Sequence, residues 1–518
     1  MKPIAIGISL CASLACAGLA AAQLGPAAYP AIGRDNWSYL GAFRVPLVAG
    51  IPAEEHFSYG GHAICHRPGS NSLFMAGHAW YQKLAEIDVP SPAICAEIDD
   101  LPRANLRQSL HDVSDGHLAQ LGPGGAPMDG AMLGGLLAHG DRLVGSAYVY
   151  YDAGGEAQRS HFTSGFDLAN PSDFAGMFRL DAPNPGYLAG YVAAVPPDWQ
   201  PLLGGPLLSG QCGIPIVSRG SWGPSAFAFD PALFGSADPV PARPLAYYDA
   251  EHPTLGEWGN ESHSNHLFNM STEVHGAVFP SGSRSLLLFG RQGMGIPRYG
   301  QGTDDPSLHL LPVPGEDGVV YVFDPADGGK GTHSWPYAYF AWTFDAADLA
   351  QAAAGSRNPW DVVPSATWEI DLPWSSDSDP RRLGGAAWDP SSRILYLSQL
   401  LADDGLPIVH AFQLLLPWDA GHQPLGDGWR RLPWFGDYVP MELDGWIWHC
   451  LHGFFYAPPS NTPDSVFLFA QDLGWLWTSA AAYPFLYRFS DHAWLWYNGQ
   501  TNPRWFVDVS TGRWESLP

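Results

Sequence analysis

The sequence predicts an all-β protein: a β-propeller of about five blades, with six or seven as the alternative, followed by a β-hairpin repeat module. Three observations predict it. A strand–turn–strand unit recurs at intervals of roughly 60–110 residues, often opening on Gly-Gly, as in Gly60-Gly61, Gly134-Gly135 and Gly384-Gly385. The chain is turn-dense and aromatic-rich, with 59 Gly, 48 Pro and 22 Trp in 518 residues. Helical 3.6-residue periodicity is almost confined to Ala346–Ala354, which reads as a short surface helix.

Each unit is legible as two apolar runs around a polar turn. Ser271–Pro280 leads through Pro280-Ser281-Gly282-Ser283 into Ser285–Arg291. Gly60–Ile64 leads into Ser72–His78, Gly134–Leu137 into Arg142–Tyr148, Gln211–Val217 to Ser225–Asp230, and Gly384–Trp388 into Arg393–Gln399. Blades ordinarily repeat every ~40–50 residues, so each unit carries long insertions. The second unit runs to about residue 195, with Phe162–Leu168 and Tyr187–Val195 as strands. The long fourth stretch has room for a sixth unit. Residues 35–50 read as an opening strand that closes the ring with the last blade.

Past residue 430 the period falls to about twenty. Gly445–Trp448 with Gly453–Tyr456, Val466–Phe469 with Gly474–Trp477, Phe485–Phe489 with Trp494–Tyr497, and Arg504–Val507 with Gly512–Trp514 are four aromatic hairpins. Their rings serve either as packing or as an outward ladder for sugar rings or cell-wall material. The domain organisation is therefore a leader over 1–22, a propeller over 35–415 and a hairpin module over 430–518.

Residues 1–22 carry Lys2, an apolar run and Ala20-Ala21-Ala22, the pattern of a secretory signal, which implies a secreted, extracellular or periplasmic protein. Cys16 raises a lipoprotein alternative, but Ser13-Leu14-Ala15 is a poor lipobox. No later run is long enough to span a bilayer. The net charge of −26 excludes the basic footprint of a nucleic-acid binder. Cys65, Cys95, Cys212 and Cys450 remain after the leader, and Cys65–Cys95 is the expected disulfide.

Several motifs resemble a family of secreted bacterial propeller-like proteins with no assigned activity. They are Gly290-Arg291-Gln292-Gly293, Lys330-Gly331-Thr332-His333 with Pro336-Tyr337, Asn358-Pro359-Trp360, Trp368–Pro373, Gly384-Gly385 and Ser398-Gln399. The resemblance covers residues 35–415. Where relatives often place Cys before Tyr-Gly, this chain has Arg298-Tyr299-Gly300, so no disulfide is implied there. The tail is similar to Gly-Trp-Leu-Trp-type repeats at the ends of many secreted bacterial proteins.

In a propeller, first-strand starts and second-strand ends rise to one face around a depression. First-strand starts supply His56, Asp129, Gln211, Glu273 with His275, and Arg382; second-strand ends supply His78, Tyr150, Arg291 and Gln399. Such residues are also where strands simply meet water. As a set they suit two chemistries. A uronate polysaccharide lyase needs a cation for the carboxylate, from Arg291 or Arg382, and His or Tyr proton carriers, from His78, His275 and Tyr150. A glycoside hydrolase needs two carboxylates about 5–9.5 Å apart, with Asp129 and Glu273 the candidates. Lys330 and His333 lie in a Gly/Pro-bearing stretch that would clamp an anionic or sugar ligand. No cofactor is expected; Asp304-Asp305 and Asp377-Ser378-Asp379 are Ca²⁺ candidates, though turn acids explain them as well. The expected partner is a polysaccharide or cell-surface glycan, met by a monomer, with lyase chemistry ahead of hydrolase chemistry and a non-catalytic binding protein as the rival.

Overall fold

A computed structural model of the chain describes residues 26–47, 52, 55–170, 173–213, 220–248, 251–252, 256–257, 267–376, 378–458, 461–463, 465–501 and 503–517. The expected leader, the strand over 214–217 and Asp377 lie outside the described residues. The protein is all-β. It divides into two units, Tyr29–Leu416 and one containing Pro417–Pro518. Among the described residues no helix is long and apolar enough to cross a membrane.

The first unit holds five principal sheets. Sheet one comprises Ile64–His66, Ser72–Ala76, Leu84–Asp88 and Leu106–His111; sheet two comprises Ala131–His139, Arg142–Val149, His161–Gly165 and Ala175–Phe178. Sheet three runs Tyr191–Ala194, Leu207–Gly210, Ala226–Phe229 and Val240–Ala246, with Leu180–Asp181 added in parallel outside. Sheet four runs Glu273–Val278, Ser285–Gly293, Tyr337–Asp345 and Ala366–Glu369. Sheet five runs Leu383–Asp389, Ile394–Asp403, Leu406–Leu414 and then Trp37–Arg44. The opening segment thus pairs antiparallel with the end of the unit, Trp37 opposite Leu414 and Arg44 opposite Ile408.

The first strands of successive sheets lie beside one another, one against two, two against three, three against four, four against five and five against one. Their Gly-Gly starts permit this approach. A Cβ on Gly134 would stand 1.6 Å from the Ala189 carbonyl oxygen, and one on Gly384 would stand 2.1 Å from that of Gly61. At the same level the pairing slips between Leu133 and Leu136, between Val274 and Gly276, and between Leu383 and Ala386. Such bulges twist a strand and re-aim the side chain at the slip; in sheet four that residue is His275.

Apolar residues fill the junctions between neighbouring sheets. Cys65 and Phe74 meet Leu133 and Phe162 between one and two; Val144 meets Val192 and Phe227 between two and three. Tyr191 and Leu208 meet Val274, Leu288 and Trp342 between three and four, and Phe43 and Tyr396 meet Ile64 and Leu73 between five and one. Long side chains alternating along each strand produce both faces of these layers. The helix Ala346–Ala353 starts where the Asp345 carboxylate accepts from the Ala347 amide, and it buries Ala346, Leu349 and Ala352 against the third-to-fourth core. It is half sunk in the core rather than a plain surface helix.

Three expectations are corrected. Tyr191–Ala194 opens sheet three and does not finish sheet two, so Gln211 follows a second strand instead of starting a first one. The long fourth stretch holds a three-stranded sheet of Arg298–Thr303, Tyr321–Phe323 and Lys330–His333, inserted between the second and third strands of sheet four. Cys65, Cys95, Cys212 and Cys450 are free thiols. Cys65 packs in the one-to-two core whereas Cys95 packs with Ala42, Leu101 and Ile408, so they face different layers.

The second unit is one antiparallel sheet of eleven strands in chain order from Gln423–Gly426 to Trp514–Leu517. Period-two alternation sorts its faces. Leu468, Leu476, Leu486, Leu495 and Phe506 are fully buried, while Phe467, Trp475, Phe485, Trp494 and Trp496 between them are exposed. The sheet curls over its buried face, so that His452 from one half meets Tyr497 and Phe506 from the other at ring distances of 4.3 and 6.3 Å.

Candidate functional site

Register places the candidate residues at corresponding ends of the sheets. Glu273 pairs with Arg291 in sheet four and Leu383 with Gln399 in sheet five, while Ala131 pairs with Val149, just before Tyr150, in sheet two. From that end the structure gathers Glu273, His275, Arg291, Arg382 and Tyr150.

Glu273 is the hub. Its Oε1 accepts from Arg291 Nη2 at 2.7 Å, and its Oε2 lies 3.6 Å from Arg382 Nε. Burial works to raise the Glu273 carboxyl, but Arg291, Arg382 and His275 outweigh it and hold it below the usual carboxylate range. Burial, followed in weight by the opposing attraction of Glu273, leaves His275 below the usual imidazole range, so its ring is neutral at pH 7. The Tyr150 hydroxyl is pushed up to about 12, first by burial of its surroundings and then by Glu273, against the pull of Arg291 and Arg382. Its side chain is nevertheless 48% exposed. A phenol in that state is a proton donor, not a base, near neutrality.

The two arginines differ. Arg291 is 4% exposed; besides Glu273 it donates to the carbonyls of Ser271 at 3.4 Å and Pro380 at 3.3 Å, and its guanidinium lies 4.5 Å from the Tyr337 ring centroid. Tyr337 is itself fixed, its hydroxyl donating to Asp324 Oδ2 at 2.6 Å. Arg382 has a side chain 38% exposed, with contacts of 3.6 Å to Glu273 and 3.7 Å to Asp327, and its Nε lacks a hydrogen-bond partner. Arg291 is committed to the fold, whereas Arg382, 3.6 and 3.7 Å from its two carboxylates, is more loosely held.

The remaining candidates fall into three groups. His78 sits with His56, their rings 5.3 Å apart, and the His78 amide donates to the His56 carbonyl at 2.9 Å; Tyr59 and Tyr81 pack on the same imidazole. This pair is linked to the centre through Gln82, whose amide donates to the His78 carbonyl and whose side chain reaches His62 and the Leu133 amide. Gln211, Gln399, Lys330 and His333 are engaged in holding the fold. Gln211 bonds Gly213 and Ser221; Gln399 bonds Tyr339, Pro373 and His410; Lys330 pairs with Glu316; His333 donates to Asp324 at 2.8 Å. Asp129 is exposed in the turn before Ala131–His139.

Sequence reasoning missed His62 and Asp327. His62 is buried, is held down to about 4 by burial and then by His275, and has an Nε2 without a partner. It follows directly on Gly60-Gly61, so aligning the Gly-Gly starts would have shown it. Asp327 arrives from the inserted three-stranded sheet, and nothing in its local sequence announces it. Asp305 caps the turn Pro306–Leu308 by accepting from the Ser307 amide. Among the described residues no cluster of His, Cys, Asp and Glu has the makings of a metal site.

Neither a protein-family model nor a curated protein matches the chain.

Proposed function

We propose that the Tyr29–Leu416 unit is a five-bladed β-propeller of a secreted protein, and that it cleaves a uronate-bearing extracellular polysaccharide by elimination. The ring order of first strands and the pairing of Trp37–Arg44 with Leu406–Leu414 support the propeller reading. The observation that carries the chemistry is the arrangement of Arg382 beside Glu273, His275 and Tyr150: a loosely held guanidinium, a neutral imidazole and a protonated phenol at one end of the sheets.

In this reading Arg382 neutralises the uronate carboxylate, which acidifies the adjacent carbon. His275 takes that carbon's proton, the freed electron pair forms a carbon–carbon double bond, and the bond to the glycosidic oxygen breaks. Tyr150 gives its proton to the departing oxygen, and the phenolate regains one from solvent as His275 loses its own. Glu273, held ionised by Arg291, keeps Arg382 in place. The hydrolase alternative is weaker because its acid needs a raised carboxyl pKa, whereas Glu273 is lowered and Asp129 is an exposed turn residue.

The tail supports a second role on the same substrate, retention on insoluble glycan through its outer aromatic face, where Trp475 is 42% exposed. The test of the chemistry is substitution. Arg382→Ala and Tyr150→Phe should each cut turnover about 10²–10³-fold, a magnitude usual for lost charge stabilisation, with thermal stability nearly unchanged. Asp129→Asn should leave it intact, and loss of activity in that variant alone would favour hydrolysis.

A further inference from the structure

The junction between sheets four and five holds a cavity of about 410 Å³, within the size range of ligand pockets. We infer that this cleft binds an amino sugar, a pyranose ring carrying a free ammonium, at a site separate from the Glu273 centre. The cleft opens between the outermost strands of the two sheets. Trp368 stands on one side, Trp37 and Tyr39 on the other, and Phe289 and Phe412 lie deeper.

Three properties select the ligand. The aromatic walls offer ring faces to the C–H surface of a pyranose, and π faces attract a cation. The polar lining contributes Asp35, Glu369 and Asp371 against a single cation, Arg34, so an anion is repelled. The Arg34 guanidinium already sits on Asp371 at 2.9 Å, both side chains being well exposed, so the rim accommodates a cation with the protein's own group. Finally, the Trp37 indole N–H is buried without an acceptor, which a ligand hydroxyl would supply after a small shift. A simple alkylammonium lacks that hydroxyl, and a neutral sugar wastes the carboxylates. An amino sugar meets all three requirements. The polyanionic substrate of the Glu273 centre would not compete for this cleft.

Isothermal titration calorimetry of the full chain with glucosamine oligomers, and with N-acetylglucosamine oligomers as the neutral control, tests the inference. The free-amine oligomer should bind at least about 10-fold more tightly, and raised salt should weaken it. Glu369→Gln should weaken binding about 3–5-fold and Trp368→Ala about 10-fold. Arg34→Ala releases Asp371 and should tighten binding about 3-fold, a gain that a purely structural ion pair would not produce. Equal binding of the two oligomers, no binding of either, or weaker binding by a normally folded Arg34→Ala protein would overturn it. Because Glu369 is exposed, its variant decides the matter should Trp368→Ala fold poorly.

Discussion

Arg291 Nη2 donates to Glu273 Oε1 at 2.7 Å, across the paired start of one strand and end of the next. The arginine is almost fully buried and the glutamate largely so, which makes this pair the anchor of the candidate site and a part of the fold at once. Removing one partner of such a pair strands a buried charge, at a cost of about 3–5 kcal/mol.

Glu273→Gln should therefore lower stability by about 3 kcal/mol and abolish turnover. Arg291→Lys, which keeps the charge but loses the fork and the stacking on Tyr337, should cost about 1–3 kcal/mol. Denaturant unfolding measures both. An Arg291→Lys protein of unaltered stability that had lost only its activity would mean that Arg291 meets the substrate directly.

Acid should destabilise the first unit well above the carboxylate range. Burial pushes His161 and His410 down to about 3 and, with His275, His62 to about 4. The unfolded chain takes up protons from about pH 6.5 downward while the folded chain resists, so stability is complete above that pH. It then falls by about 1.4 kcal/mol per pH unit for each such histidine. Glu273 and Glu86, both held low in the fold, add to the loss below about pH 4.5. Unfolding midpoints should hold level above about pH 6.5 and drop continuously from there to about pH 4.5; a plateau down to pH 5 would contradict this.

The Gly-Gly starts supply a steric test. Gly134→Ala places its Cβ 1.6 Å from the Ala189 carbonyl oxygen, so it should cost about 3 kcal/mol or more or prevent folding. Gly331, with nothing within 4 Å of its virtual Cβ, should accept Ala at little cost. Thermal unfolding of the two variants side by side reads the difference.

The tail faces separate binding from packing. Leu476→Ala, on the fully buried face, should cost about 2–5 kcal/mol. Trp475→Ser and Trp494→Ser, on the outer face, should cost far less yet reduce retention on insoluble glycan in a pull-down. Edge-to-face neighbours such as Trp477 and Trp494, 5.9 Å apart, contribute about 0.5–1.5 kcal/mol per pair, which bounds the expected loss of stability. Unchanged retention would reduce the outer rings to packing.

Much of the architecture was legible because the signals are local. Alternation and turn chemistry marked most strands, and the Gly-Gly starts marked where first strands crowd together. Sheet three was misread because its first strand, Tyr191–Ala194, follows Gly190 alone, while the apolar run after Gln211 looked more like a start. In the site, Glu273, His275, Arg291, Arg382 and Tyr150 were found by strand ends alone. What no strand pattern encodes is which arginine is consumed: Arg291 is taken by Tyr337 and two backbone carbonyls from distant segments, leaving Arg382 loosely held. Gln399 and His333 looked like ligands because buried hydrogen-bonding groups and binding groups use the same residue types.

The most direct measurement is the ultraviolet absorbance of unsaturated product when the protein meets a panel of uronate and neutral polysaccharides. Ionic strength should be near physiological, where a Debye length of about 8 Å screens the −26 net charge from an anionic chain. The account predicts that absorbance rises with at least one uronate polymer and is lost in Arg382→Ala. Release of saturated ends, or cleavage of a neutral glycan that survives Arg382→Ala, would contradict it.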